Sequence, residues 1–243
     1  ETQFGLLVGT PILTGSLARV MLGVWADQIG GRRVFAAVMF LAAVATWLTS
    51  YADTYTELLI AALGVGLAGG TFSVGVTYVS KFYPQERQGT VLGIFGAGNV
   101  GSAVTKFTAP FVMVAFGWQA VAQIWAAVLV GMTVLFLAFT REDPDQIARR
   151  SEGRKGAAMG AQLAVLKNVQ VWRFALYYFF VFGAFVALAL WLPRYLMGVY
   201  GLDVKTAGML AAFYSVPASI FRIYGGKLSD RYGARAVLYV TFA

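Results

Sequence analysis

The sequence predicts an all-α, polytopic membrane protein. Two observations carry this. The chain is 59% hydrophobic and only 12% charged over 243 residues, far more apolar than the ~45–50% of an ordinary soluble domain. It also contains seven apolar runs long enough to cross ~30 Å of hydrocarbon at ~20 residues each. The first covers 4–26 and holds Arg19; the second, 34–51, starts after Arg32 and Arg33. The third, 56–79, ends before Lys81-Phe-Tyr-Pro84. The fourth, 90–116, is rich in Gly, and the fifth, 119–139, runs to the charged segment that begins at Arg141. The sixth, 171–198, and the seventh, 206–226, follow that segment, and an eighth begins at Ala236. The chain starts at Glu1 without Met or a charged leader and stops inside an apolar run at Ala243, so it is expected to be a fragment.

Connectors are short except 141–170, where Arg149, Arg150, Arg154 and Lys155 stand beside Glu142, Asp143, Asp145 and Glu152. This composition reads as a solvated linker between an N-terminal group, 1–140, and a second group starting at 171. Basic loops stay on the cytoplasmic side. Alternate connectors hold fourteen Lys or Arg on one side and only Arg194 and Lys205 on the other. The linker is therefore expected in the cytoplasm, and the protein in the inner or plasma membrane. Of the 19 basic residues, Arg19, Lys106 and Arg222 remain inside spans, while all 11 acids fall in loops or at span ends.

The net charge of +8 does not point to nucleic acid, which needs a basic face on a folded domain. With no Cys and no His, thiolate or imidazole metal sites and His-based acid–base chemistry are excluded. No cofactor, metal or enzymatic activity is expected. Gly96-Ala-Gly98-Asn-Val-Gly101 has the form of a dinucleotide loop. It lies inside an apolar run with the next acid at Glu142, whereas a dinucleotide site needs a preceding strand and an acid about 20 residues on.

A shift of 203 residues lays Ser16, Arg19, Gly23, Asp27, Gly30 and Arg32 over Ser219, Arg222, Gly226, Asp230, Gly233 and Arg235 without a gap. Long-period self-similarity of this kind marks transporters built from repeated halves, with the substrate site between them near mid-membrane. In both copies an acid at a helix end is followed by Gly and then Arg, which allows charge pairing at the cytoplasmic mouth. The two loops resemble the signature loop of the major facilitator superfamily, found after the second and eighth of twelve helices. That resemblance implies two pseudo-symmetric six-helix halves. The visible spans are then helices two to eight and the start of nine, with Asp27, Arg32, Asp230 and Arg235 as gating-loop residues.

An Arg at the centre of a span costs about 3 kcal/mol on insertion scales. Arg19 and Arg222 each precede their loop Asp by eight residues, about 12 Å along the axis. Each either snorkels to the headgroups or, together, they converge from opposite halves on one oxyanion, which planar guanidinium forks suit better than ammonium groups.

Ala68-Gly69-Gly70-Thr71-Phe72, Lys81-Phe82-Tyr83-Pro84, the Gly-rich run from Gly89 to Gly101 and Ala109-Pro110 resemble the nitrate/nitrite porter family of that superfamily. The resemblance implies a site for nitrate or nitrite made by Arg19 and Arg222, with Asn99 as neutral donor beside the Gly98 backbone. Phe72 and Tyr178, the latter from Tyr178-Phe-Phe-Val-Phe-Gly183, are the implied aromatic walls. The glycines also permit close helix packing, and the two aromatic residues also suit ordinary packing. Thr71 and Lys106 depart from residues that some relatives carry. Lys106, seven residues after Asn99 and on the same face, either extends the positive lining toward the outer mouth or snorkels outward.

The expected function is secondary active transport by alternating access, as nitrate/nitrite exchange or proton-coupled nitrate uptake, by a monomer in the lipid bilayer. Transport of another small anion within the superfamily and a non-transporting membrane sensor are the alternatives.

Overall fold

The computed structural model describes residues 2–153, 156 and 159–242. Arg154 and Lys155 of the linker, Glu1 and Ala243 lie outside the described residues. Every regular element among the described residues is helical. The helices are α1 (Thr2–Ile29), α2 (Gly31–Thr49), α3 (Tyr55–Ser80), α4 (Gln88–Ala97), α5 (Val100–Phe116), α6 (Trp118–Phe139), α7 (Pro144–Ser151), α8 (Met159–Leu163), α9 (Val169–Tyr200), α10 (Val204–Tyr232) and α11 (Ala234–Phe242). Six of them, α1, α2, α3, α6, α9 and α10, have the length and hydropathy to cross a membrane. Large apolar side chains face outward all along them, Phe139 at 83% exposure among them, as expected where lipid rather than water is the solvent.

Local chemistry sets the boundaries. At the start of α3, Thr54 Oγ1 accepts from the Glu57 amide at 3.3 Å and Glu57 Oε2 accepts from the Thr54 amide at 3.1 Å, a reciprocal cap on two otherwise unpaired donors. Asp203 caps α10 by accepting from the Lys205 and Thr206 amides. Gly30, with φ 110°, turns α1 into α2, a conformation open to Gly at little steric cost.

Packing relies on small residues, as in membranes generally. α1 lies along α3 so closely that a Cβ on Gly66 would come within 2.5 Å of the Pro11 carbonyl oxygen. α2 fills the space between α3 and α6, and Leu22, Ala26, Val34, Val38 and Val74 form a buried cluster where α1, α2 and α3 meet. α10 crosses onto the first group and packs against α4 and α5, with Gly226 seated on the Gly89 carbonyl.

Two features differ from the sequence reading. The fourth apolar run is two helices, α4 and α5, separated at Gly98 and Asn99. The amides of Gly98, Asn99, Gly101 and Ser102 bond to carbonyls three residues back, so the helix tightens locally to a 3₁₀ turn. The Gly density that suggested a packing face also weakens helix propensity there. The linker, in turn, is not simply solvated. Asp143 is fully buried and Gln146 nearly so, because α7 docks against the ends of α1 and α3. Asp143 caps α7 through the Gln146 amide at 2.9 Å and faces Lys81 Nζ at 3.6 Å, while Arg149 reaches Asp27 at 3.2 Å.

Candidate functional site

A cavity of about 730 Å³ lies between α1, α3 and α9, where the two groups of helices face each other. Arg19 and Tyr178 line it, from opposite groups. Arg19 is half-buried, and its Nε donates to the Gly69 carbonyl at 3.3 Å. Gly69 itself lies in the cavity wall.

Arg222 does not line this cavity but joins it through aromatic rings. Its guanidinium carbon lies 5.4 Å from the Phe182 centroid and 5.6 Å from that of Phe185. Phe182 stacks on Tyr178 at 4.8 Å and faces Phe72 at 6.5 Å, and Phe72 meets Phe95 at 5.5 Å. One chain of rings therefore runs from α3 and α4 through α9 to Arg222. The Arg222 stem passes over Gly96, where a Cβ would sit 3.2 Å from Arg222 Cδ. Gly96 thus admits the arginine to the Gly-rich turn.

Asn99 stands at that turn, in α-region geometry with φ −60°. Its Nδ2 is buried and has no hydrogen-bond partner. A buried amide without a partner is costly, and such a group is a donor awaiting an acceptor. Gly98 beside it is exposed.

Lys106 is elsewhere. Its Nζ donates to Ser215 Oγ at 2.6 Å, and Ser215 is fully buried on α10. The residue therefore bridges α5 to α10 instead of reaching outward, and α10 packs on α5 so closely at Gly208 that a Cβ there would lie 2.5 Å from the Lys106 carbonyl oxygen. Among the described residues no carboxylate lies within salt-bridge distance of Arg19, Lys106 or Arg222.

Asp27, Arg32 and Asp230 of the two repeated loops find partners on other elements. Asp27 faces Lys81 at 3.7 Å as well as Arg149. Arg32 donates to Thr140 Oγ1 at 3.3 Å and to the Leu137 carbonyl, at the C-terminal end of α6, where the helix dipole favours a cation. Asp230 accepts from the Gly89 amide at 2.8 Å and from the Thr90 amide and hydroxyl, each at 2.7 Å. It thus caps α4 across the two groups. Arg235 donates to the Tyr239 hydroxyl, one turn along α11. The repeat placed these residues alike, but the surroundings of the two copies differ.

Sequence reasoning missed Phe182 and Phe185. They stand four and seven residues after Tyr178, the spacing that puts side chains on one helix face. Ser215 was equally silent, since a Ser in an apolar run carries no signal of its partner.

The Major Facilitator Superfamily profile matches residues 1–243. The chain is 42% identical to the "Probable nitrate/nitrite antiporter NarK1" of Thermus thermophilus, over all of this chain and 56% of that protein. It is 34% identical to the "Nitrite extrusion protein" of Bacillus subtilis (strain 168), over 99% of this chain and 59% of that one. The chain thus spans somewhat more than half the length of these curated relatives. Among solved structures, a bacterial homologue of the human lysosomal transporter Spinster, inward-facing and occupied, superposes with a TM-score of 0.58 at 20% identity, over 96% of this chain and 54% of that one. Full-length profile match, all-helical architecture and shared fold lead to one conclusion: the chain belongs to the major facilitator superfamily and is a multi-pass membrane protein.

Proposed function

We propose that the protein carries nitrate or nitrite across the cytoplasmic membrane by alternating access, with Arg19 and Arg222 as the charge partners of the anion. One observation carries this reading. The three cations within the spans are held by neutral partners: a carbonyl for Arg19, a hydroxyl for Lys106 and ring faces for Arg222. Neutral partners hold a charge in place without cancelling it, so Arg19 and Arg222 stay available to a substrate anion, while Lys106 is engaged in the bridge between α5 and α10. Guanidinium forks match a planar oxyanion, and Asn99 Nδ2 supplies a neutral donor. Phe72 and Tyr178, joined through Phe182, confine something small and flat. The names of the two relatives support nitrate and nitrite as that anion.

In this reading residues 1–140 and those from 171 onward are the two moving groups, the linker 141–170 is cytoplasmic, and the transporter works as a monomer. The groups rock about the anion, and Asp230 closes the cytoplasmic end by capping α4. Exchange of nitrate for nitrite needs no titratable group, whereas symport carries a proton with each nitrate. Competition among nitrate, nitrite, chloride and phosphate for uptake into proteoliposomes by the full-length protein tests the substrate. Inhibition by nitrite alone supports the proposal, and equal inhibition by chloride or phosphate counts against it. Proton entry with nitrate at zero membrane potential and without internal nitrite separates symport from exchange.

A further inference from the structure

We propose that Phe185 is a positioning residue for the anion site: its ring face fixes the Arg222 guanidinium by a cation–π contact. The inference rests on the reading of Arg222 as an anion partner. An arginine between membrane helices needs an attractive neighbour that leaves its charge unneutralised. A carboxylate would cancel the charge and compete with a substrate anion, whereas the negative face of an aromatic ring attracts a guanidinium without doing either. Arg222 has two such faces, Phe182 at 5.4 Å and Phe185 at 5.6 Å.

The two rings are placed differently. Phe182 lines the cavity and stacks on Tyr178, so it meets whatever the cavity holds. Phe185 is absent from the cavity lining. It stacks instead on Tyr214 of α10, with centroids 5.9 Å apart and planes 24° apart. Tyr214 precedes Arg222 by eight residues, about 12 Å along the same helix. Phe185 therefore bridges α9 to α10, with Tyr214 bracing it on α10 while its ring holds the arginine.

Replacing Phe185 with mono-, di- and trifluorinated phenylalanines in the full-length protein tests this, because each fluorine weakens the ring's negative face with little change in shape. Two readouts are taken in lipid nanodiscs: nitrate affinity, and the melting temperature without nitrate in Arg222 and Arg222→Met backgrounds. The expected result is a graded loss of nitrate affinity, reaching ~5–30-fold at three fluorines, with Phe185→Trp retaining affinity and Phe185→Leu losing it. The melting temperature should fall along the series with Arg222 present and stay level with Arg222→Met. The same fluorination at exposed Phe180 should change neither.

A flat melting series overturns the cation–π contact. A graded melting series with level nitrate affinity also overturns the proposal, since the contact would then serve the fold alone. If the unmodified protein binds no nitrate while the melting series is graded, the substrate reading fails and Phe185 loses its role toward that anion, although its contact with Arg222 stands.

Discussion

A cation inside an apolar span is the kind of residue whose meaning survives without coordinates. Arg19 and Arg222 stood out because burial of charge is expensive and because the repeat set one over the other. Asn99 stood out only through the resemblance, and its unpartnered Nδ2 gives it a physical reason. Removing that donor by Asn99→Ala is expected to weaken nitrate affinity ~10–150-fold, the worth of one hydrogen bond to a charged group, in a binding titration of the full-length protein. The neighbouring rings were illegible by contrast. With 19 Phe in the chain, nothing distinguishes Phe182 from the others until the helix face and its arginine are known. Lys106 was legible as an anomaly but not as a bridge to Ser215, which depends on how closely α10 approaches α5.

At the scale of elements, apolar length announced the spans, while the turn at Gly98–Asn99 and the docking of α7 depended on contacts distant in sequence. Asp143 illustrates the second case: its composition reads as solvated linker, yet Lys81 and the α7 N-terminus draw it fully inside. Asp143→Ala removes both an end-cap and a partner of Lys81, and should cost about 1–3 kcal/mol, read as a lower melting temperature in detergent. Faster proteolysis within 144–153 should accompany it. Asp203 offers a pH signature. Hydrogen bonds from the Thr206 hydroxyl and amide, and from the Lys205 amide, hold its carboxyl below the ordinary carboxylate range. A depressed native pKa stabilises the fold above the unfolded value near 3.8, and this contribution is lost as pH falls through the native value. Melting temperature should therefore drop less steeply with acidification in Asp203→Ala than in the parent. Asp230→Ala removes the acceptor that ties α10 to the start of α4. Spin labels on the cytoplasmic ends of these two helices should then show a longer, broader distance distribution than in the parent.

Across the whole molecule, contacts between the two groups stand toward opposite ends of the long helices. Asp230 caps α4 at one end, and at the other Phe4 of α1 meets Trp191 of α9 edge-on at 5.8 Å, with Arg194 over the Phe4 ring at 4.2 Å. The sequence treated the repeated loops as equals. In the structure Asp230 serves the contact between groups, while Asp27 ties α1 to Lys81 and to the linker helix. Under the proposed function an anion held by both Arg19 and Arg222 would draw the two groups together, so the two arginines are where that proposal is tested. The most direct test is nitrate uptake into nitrite-loaded proteoliposomes by the full-length protein carrying Arg19→Lys or Arg222→Lys, each of which keeps the charge and removes the planar fork. At least a tenfold loss of uptake at subsaturating nitrate is expected from either change, corresponding to ~1.4 kcal/mol or more of lost binding. Uptake equal to that of the parent in both variants would contradict the paired-guanidinium site.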